Sequence, residues 1–192
     1  ENFKNNIKHH NNIIFIPKYK AHHSNQYKLY LNSIKIVKDL ILLGCVPNKS
    51  NIISKLPEMD YSLYKYFILG YFDGDGGIRQ DRRKAKSLSW SIVGNYDFLL
   101  EIRNILDKNN IFRTTNNLHK CTNSNKYTLD YSNYRSCKEL FILFYDFKSP
   151  YLFRKYDNFK KYIQEYSGNE NLFRKIEQRD LNNIIIKEWD NI

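Results

Sequence analysis

Apolar residues recur along the chain with two different periods, and together these periods predict an α+β fold. Leu88, Trp90 and Ile92 alternate with serines, which is the pattern of a strand that buries one face. Over residues 33 to 43 the apolar positions instead follow the 3.6-residue period of a helix. Gly44 comes directly after this stretch and is expected to end the helix.

The predicted elements form two series along the chain. The first series has strands near 11 to 18 and 26 to 32, followed by the helix at 33 to 43. The second has helices near 62 to 72, 95 to 109, 134 to 145 and 151 to 166, with strands near 77 to 83, 87 to 93, 112 to 119 and 126 to 132. The second series has the order αββαββα with one extra element at its end, the helix near 151 to 166, and the first series matches only the later ββα part of such a unit.

This comparison of the two series predicts the domain organisation. We expect a partial first repeat at residues 1 to 59, a complete second repeat at 60 to 167, and a polar tail at 168 to 192. Because the chain begins with Glu1, inside what reads as a repeat, we interpret it as a fragment or as a chain whose missing helix comes from a partner.

The charge balance indicates a polyanionic partner. Lys and Arg number 31 against 20 Asp and Glu, which gives a formal net charge of +11. Nucleic acid is therefore favoured over a membrane surface. No apolar run is long enough to span a bilayer, and no secretory segment opens the chain, so we expect an intracellular protein. The three cysteines lie far apart without zinc-ligand spacing, and we expect them to be reduced and buried.

The residues with the clearest chemical signal are FILGYFDGDGG at positions 67 to 77. Gly70 and Gly74 are four residues apart, so they share a helix face and would let a second helix approach closely. Asp73 and Asp75 then lie at the helix C-terminus, where the macrodipole disfavours anions and a bound cation would relieve the penalty. The alternative is an ordinary Asp-Gly turn that ends a helix.

ILGYFDGDG at residues 68 to 76 resembles the nine-residue motif of the LAGLIDADG homing endonucleases. Three further segments are similar to family elements in the same order: IKIVKDLILLGCVPNKS, SWSIVGNYDFLLEIRNIL and SPYLFRKYDNF. The resemblance spans roughly residues 26 to 162. It implies two αββαββα units whose motif helices pair at the centre, with a curved antiparallel sheet from each unit straddling the DNA.

The resemblance also assigns catalytic and metal-binding roles. Asp75 matches the metal-binding catalytic acid, and the Gly74 carbonyl matches the backbone ligand beside it. Asp73 matches an earlier Asp that is more often structural, although it is also a candidate metal ligand. Lys155 falls where the family places a basic catalytic residue, its alternative being a solvated lysine. Gly94 departs from the pattern, since some members carry a Gln there. The expected ion is Mg²⁺, with Mn²⁺ as a plausible substitute.

Polar and basic residues of the predicted hairpins are expected to contact double-stranded DNA. The densest group follows the motif directly, and its alternative is a soluble, charged β-turn. The candidates are Arg79, Gln80, Arg82, Arg83, Lys84 and Lys86, with Asn117, His119, Lys126 and Lys28 as weaker ones.

The leading functional hypothesis is a site-specific endonuclease from a mobile intron or a freestanding gene. A complete enzyme needs two acidic helix ends, so the second acid is expected from upstream residues of the same chain or from a second copy. One alternative is an inactive relative that binds DNA or RNA, such as an intron RNA maturase. Another is an endonuclease domain of an intein, although the chain shows no splicing residues at its ends. If it is intron-encoded, an organelle is a possible compartment.

Overall fold

The computed structural model describes residues 12–18, 20, 25–46, 53–81, 87–111, 117–146 and 150–167. Contacts divide the chain into two compact units, Glu1–Val46 and Pro47–Ile192. The expected boundary between residues 59 and 60 falls inside the second unit. Leu56 shows why: its side chain is buried in the core of that unit, and its backbone N–H donates to Glu101 at 2.6 Å. The assignment of residues 1 to 59 to a partial repeat stays a prediction.

The first unit contains a short hairpin. Strand β1 (Ile14–Ile16) pairs antiparallel with strand β2 (Gln26–Lys28), and Ile14 lies opposite Lys28. Both strands are shorter than the stretches predicted at 11 to 18 and 26 to 32. The side chain of Phe15 contacts the Tyr27 ring, with centroids 5.2 Å apart.

Helix α1 (Ile34–Leu42) follows and matches the predicted helix closely. The Ser33 hydroxyl accepts the Ile36 N–H at 3.3 Å, which satisfies one of the free donors of the first turn. Gly44 has φ of +85°, so the predicted glycine stop is confirmed as a left-handed C-terminal residue. The helix buries none of its residues.

The second unit contains the complete αββαββα order, followed by one more helix. A 3-10 turn (Tyr61–Leu63) leads into α2 (Tyr64–Asp75), which runs past the predicted end at 72 and so includes both aspartates of the motif. The remaining elements are β3 (Gly77–Asp81), β4 (Ser87–Gly94), α3 (Tyr96–Lys108), β5 (Leu118–Lys120), β6 (Tyr127–Tyr131), α4 (Tyr134–Phe144) and α5 (Phe153–Ser167).

Side-chain caps explain where two of these helices begin. The Asn95 side chain accepts the Asp97 N–H at 3.0 Å at the start of α3. At the start of α4, Asn133 accepts the Ser136 N–H at 2.8 Å. Each cap satisfies a backbone donor that the helix itself leaves without a partner, which typically contributes about 1 kcal/mol.

The four strands of the second unit form one antiparallel sheet in the order β3-β4-β6-β5. The predicted alternation in β4 is confirmed, since Leu88, Trp90 and Ile92 are fully buried. In the register of β4 and β6, Trp90 lies opposite Tyr131 and Ile92 opposite Leu129, so the core-facing side of these two strands is apolar at these positions. The other face carries Ser89 and Ser91 of β4.

The helices supply the other half of the core. Ile68, Leu69 and Phe72 of α2 are buried, and the Phe72 ring stacks on Trp90 with centroids 5.3 Å apart. Phe159 of α5 packs against the same Phe72 ring at 6.3 Å. This packing fixes the position of the C-terminal end of α2 relative to the sheet and to α5.

Two expectations lie outside the described residues, namely the tail at 168 to 192 and most of the strand predicted at 112 to 119.

The expectation that the cysteines are buried holds for Cys137, whereas Cys45 is exposed. Within the described part of the chain, no helix is long and apolar enough to cross a membrane.

Candidate active site at the end of helix α2

The last turn of α2 closes against the start of β3. The Gly76 N–H donates to the Phe72 carbonyl at 2.8 Å. A Cβ at Gly76 would lie 2.7 Å from that carbonyl oxygen, closer than real Cβ atoms come, so this turn requires glycine. The tight turn presents the residues between 72 and 76 at the edge of the sheet.

Lys155 of α5 stabilises this turn from outside. Its ammonium donates to the Phe72 carbonyl and, at 2.6 Å, to the Gly76 carbonyl. The same nitrogen lies 4.7 Å from the centroid of the Phe72 ring. A helix C-terminus leaves carbonyls without partners and carries partial negative charge, and the ammonium meets both needs. The ammonium of Lys155 thus offsets part of the negative charge at this helix end, and the expected metal ion stays a prediction.

Asp73 makes the reciprocal contact. Its carboxylate accepts the Leu152 N–H at 2.7 Å, just before the first turn of α5. An anion at the N-terminal end of α5 and a cation at the C-terminal end of α2 both oppose the helix dipoles. Asp73 of α2 therefore binds the start of α5, and Lys155 of α5 binds the end of α2. We call this pair of contacts the joint between α2 and α5.

Burial affects both members of the joint. Desolvation raises the pKa of Asp73, although the Leu152 N–H and the charge of Lys155 oppose the shift. Desolvation lowers the pKa of Lys155, against the attraction of Asp73 and Asp75. The second oxygen of Asp73, Oδ1, is buried and has no hydrogen-bond partner in the described part of the chain. These contacts agree with a structural role for Asp73.

Asp75 differs from Asp73 in its surroundings. Asp75 and Gly74 are both exposed at the tip of α2, and Asp75 is close enough to Lys155 and Tyr71 to affect their pKa values. An exposed carboxylate oxygen is the kind of ligand that Mg²⁺ and Mn²⁺ prefer, so this donor suits the expected ion. In the described ranges no three or more His, Cys, Asp or Glu side chains cluster into a metal site. An ion on Asp75 would therefore take further ligands from backbone carbonyls, water, phosphate or another chain segment.

The glycine face of α2 is open. Gly70 and Gly74 are exposed, and a Cβ built on either would meet no other atom within 4 Å. The helix thus has room for a second helix along the predicted face. The pairing itself stays a prediction.

Tyr71 occupies the space beside Gly94, and the sequence analysis did not identify this residue. Its hydroxyl donates to the Val93 carbonyl at 2.7 Å. A Cβ at Gly94 would lie 3.1 Å from this hydroxyl oxygen and 3.3 Å from Leu99, which leaves little room for a longer side chain. The space beside Gly94 is therefore taken up by a tyrosine of α2. The available sequence signal for this contact was a tyrosine in the motif together with a glycine at the end of β4.

The structure separates the two neighbouring DNA-contact candidates of β3. Arg79 is exposed and lies on the sheet face opposite to the core. Gln80 points to the helix side, where its amide donates to Glu165 of α5 at 3.0 Å. Because successive strand residues face opposite ways, the two side chains cannot lie on the same surface. Of these two residues, Arg79 is the one whose side chain lies on the sheet face expected to contact DNA.

The later candidates also differ in their positions. Asn117, expected as a weaker DNA-contact candidate, is only 1% exposed and so is not placed for that contact, and its side-chain atoms have no partner within the described segments. His119 and Lys126 are exposed around the β5-β6 hairpin, and Lys28 is exposed on β2 of the first unit. Arg82, Arg83, Lys84 and Lys86 lie outside the described residues.

A polar pair on the same sheet face was missed by the sequence analysis. The Ser89 hydroxyl hydrogen-bonds to Oδ1 of Asp130 across strands β4 and β6. No sequence signal marks this contact, because it joins residues 41 positions apart.

The order of elements and the motif turn agree with a comparison to known families. Residues 62–142 match the family model described as a LAGLIDADG-like domain, which is less than half of the chain. Residues 62–142 are therefore a LAGLIDADG-like domain.

A solved structure also matches. It is the crystal structure of a homing endonuclease, I-TnaI, with 16% identity over 60% of this chain and 97% of that chain, at a TM-score of 0.35. A likeness of this size supports no inference about function. Comparison with curated proteins gives no match.

Proposed function

We propose that this protein is a site-specific endonuclease that cuts both strands of duplex DNA with the help of Mg²⁺ or Mn²⁺. The observation that supports the proposal most directly is the contrast at the end of α2. Asp73 and Lys155 are held in the joint with α5, while Asp75 is presented to solvent on a tightly fixed turn. A carboxylate held this way on rigid elements is suited to bind an ion at a defined position.

Asp75 would hold the ion, with the Gly74 carbonyl as a candidate second ligand. Such an ion, when bound, activates water and stabilises the leaving oxygen in phosphodiester hydrolysis. Lys155 holds the end of α2 and adds positive charge beside Asp75, where a phosphate would approach. Asp73 orients Lys155 and α5 from the other side of the joint. We therefore assign Asp73 a positioning role.

DNA is the proposed substrate because of charge. The net charge of +11 favours a polyanion, and phosphate contacts supply most of the affinity in such complexes. Arg79 and His119 are exposed on or beside the sheet face that does not contact the helices, and Lys126 lies at its hairpin end. The major groove of duplex DNA is wide enough to admit a two-stranded β-ribbon, and we propose that strands of this sheet lie there.

Double-strand cleavage requires a second acidic helix end beside the first. We propose that it lies on a helix that packs against the glycine face of α2, supplied by upstream residues of a longer chain or by a second copy. The room beside Gly70 and Gly74 supports this proposal. The occurrence of one DGDG motif in the chain is the reason that the helix must come from elsewhere.

The test is the Asp75→Asn variant of the full chain. We expect cleavage of a selected duplex in Mg²⁺ to fall by at least about a hundredfold, because the ion loses its carboxylate ligand. DNA affinity, measured by gel shift without metal, is expected to hold or rise, since a negative charge near phosphate is removed. The matched control is Asp97→Asn, which makes the same change at an exposed carboxylate in the first turn of α3. Normal cleavage by Asp75→Asn contradicts the site assignment.

The presence of a single motif acid favours a second candidate, an inactive relative that binds nucleic acid. Such a protein would bind structured intron RNA without metal more tightly than any duplex DNA, and would cut neither. A filter-binding comparison of the two ligands, made beside the cleavage assay, separates the two candidates.

A further inference from the structure

The sheet face opposite the core carries a row of polar side chains across three strands. Arg79 of β3 lies opposite Ser89 of β4 in the register of these strands. Asp130 of β6 lies opposite Ser91, which makes Ser89 its diagonal neighbour, and the Ser89 hydroxyl bonds to its carboxylate. The residues flanking Asp130 in sequence, Leu129 and Tyr131, are both buried in the core. Asp130 therefore points away from the core, with its orientation held by a serine.

A carboxylate is an unexpected group on this face if the face binds DNA. Phosphates would repel it, whereas the net charge of +11 favours a polyanionic partner for the chain as a whole. The groups in duplex DNA that attract a carboxylate are hydrogen-bond donors on base edges. In the major groove these are the 4-amino group of cytosine and the 6-amino group of adenine.

Chemistry favours cytosine over adenine. Adenine presents its N7 acceptor beside the amino group, and a carboxylate, which has only acceptors when ionised, would place a second oxygen near it. Cytosine has no acceptor next to its 4-amino group on the major-groove edge. The hydrogen bond from Ser89 also holds one carboxylate oxygen in place, which lowers the entropy lost when a base binds.

We propose that Asp130 is a specificity-determining residue that accepts a hydrogen bond from the 4-amino group of one cytosine in the target duplex, with Ser89 as its positioning residue. This inference rests on the proposed function, because it takes the sheet face as the DNA-contacting surface. It adds a base-reading acceptor to a set of candidates that were chosen for their positive charge or amide groups.

The experiment selects bound sequences from a pool of randomised duplex DNA with the full chain, its Asp130→Asn variant and its Ser89→Ala variant. Wild type is expected to select a site with a required cytosine. In Asp130→Asn, discrimination at that one position is expected to fall by at least about fivefold, the lower limit for one good base contact, with the other positions unchanged. Ser89→Ala is expected to weaken discrimination at the same position to a smaller extent.

The control is Asp97→Asn, which removes one negative charge from a helix on the other side of the sheet. It is expected to leave the base preferences unchanged. The inference is overturned if Asp130→Asn keeps the wild-type profile, or if it binds all sequences more tightly by the same factor. If Asp130→Asn does not fold by circular dichroism, Ser89→Ala decides, and an unchanged profile there overturns the inference. If wild type selects no sequence at all, the proposed function fails first.

Discussion

Helices α1 and α2 belong to different units. Their comparison shows that a regular apolar pattern predicts a helix but does not predict how far its side chains are buried. The apolar residues of α1 recur regularly, yet Ile34 is 78% and Leu42 85% exposed. The two glycines of α2, Gly70 and Gly74, weaken its helix propensity, yet Ile68 and Phe72 are fully buried. A helical spacing of apolar residues is sufficient to predict a helix. Burial of their side chains also requires a sheet and further helices against which they can pack.

The same difference separates the two units as wholes. The second unit closes a core between one sheet face and its helices, while the first unit contains a hairpin and a helix that bury no residue. A hairpin and one helix offer too little surface to bury an apolar stripe. We expect the two units to differ in reactivity and in sensitivity to mutation, and two predictions test this expectation.

The largest expected contrast is between two cysteines. Cys45 of the first unit is exposed, while Cys137 of α4 is buried and its pKa is raised to about 12 by desolvation. At pH 8 only about one in ten thousand Cys137 side chains would be thiolate, the form that reacts. Cys45 should therefore react with iodoacetamide at least about a thousandfold faster than Cys137, as measured by mass spectrometry of digested protein.

The control for the cysteine experiment is the same reaction in strong denaturant, where both thiols are exposed. There the two rates should agree within a small factor. Comparable rates in the native protein would mean that the second unit opens readily, which its closed core does not predict.

The next contrast concerns stability. Phe72→Ala removes a fully buried ring that stacks on Trp90, so we expect a loss of about 3–5 kcal/mol in unfolding free energy. Leu40→Ala in α1 changes a side chain that is 43% exposed, and we expect a loss under about 1 kcal/mol. Urea unfolding followed by circular dichroism measures both. A loss as large for Leu40→Ala as for Phe72→Ala would show that α1 is packed against a partner in solution.

The smallest expected effect comes from the joint between α2 and α5. Lys155→Met keeps most of the side-chain volume but leaves the Phe72 and Gly76 carbonyls without their ammonium donor. We expect a loss of about 1–3 kcal/mol in unfolding free energy. Lys161→Met, an exposed lysine of the same helix, serves as the control and should change stability by at most about 0.5 kcal/mol.

The pH dependence of the same variant sharpens this test. Burial lowers the pKa of Lys155 in the folded protein from its ordinary value of 10.5, so the unfolded chain binds this proton more tightly. Unfolding free energy should then rise as the pH rises through the folded pKa towards 10.5. Lys155→Met should lack this rise. If the variant and the wild type have the same slope over that range, the ammonium is not desolvated as the structure indicates.

The sequence by itself determined the order αββαββα, the alternation of β4 and the glycine stop of α1. These features are predictable because each depends on neighbours within a few residues, through hydrogen-bond periodicity, side-chain alternation and backbone conformation. The motif at residues 68 to 76 likewise indicated the family, which the match over residues 62–142 bears out.

Only the tertiary structure decided which of two nearby residues is available for chemistry. Asp73 and Asp75 are two positions apart in one motif, yet a backbone N–H 79 residues away binds one and leaves the other exposed. Gln80 faces a helix while Arg79 faces away from it, and Asn117 is buried, although all three are polar residues of predicted strands. Such differences arise from contacts between distant segments, whose free energies depend on packing geometry that no local pattern of residues encodes.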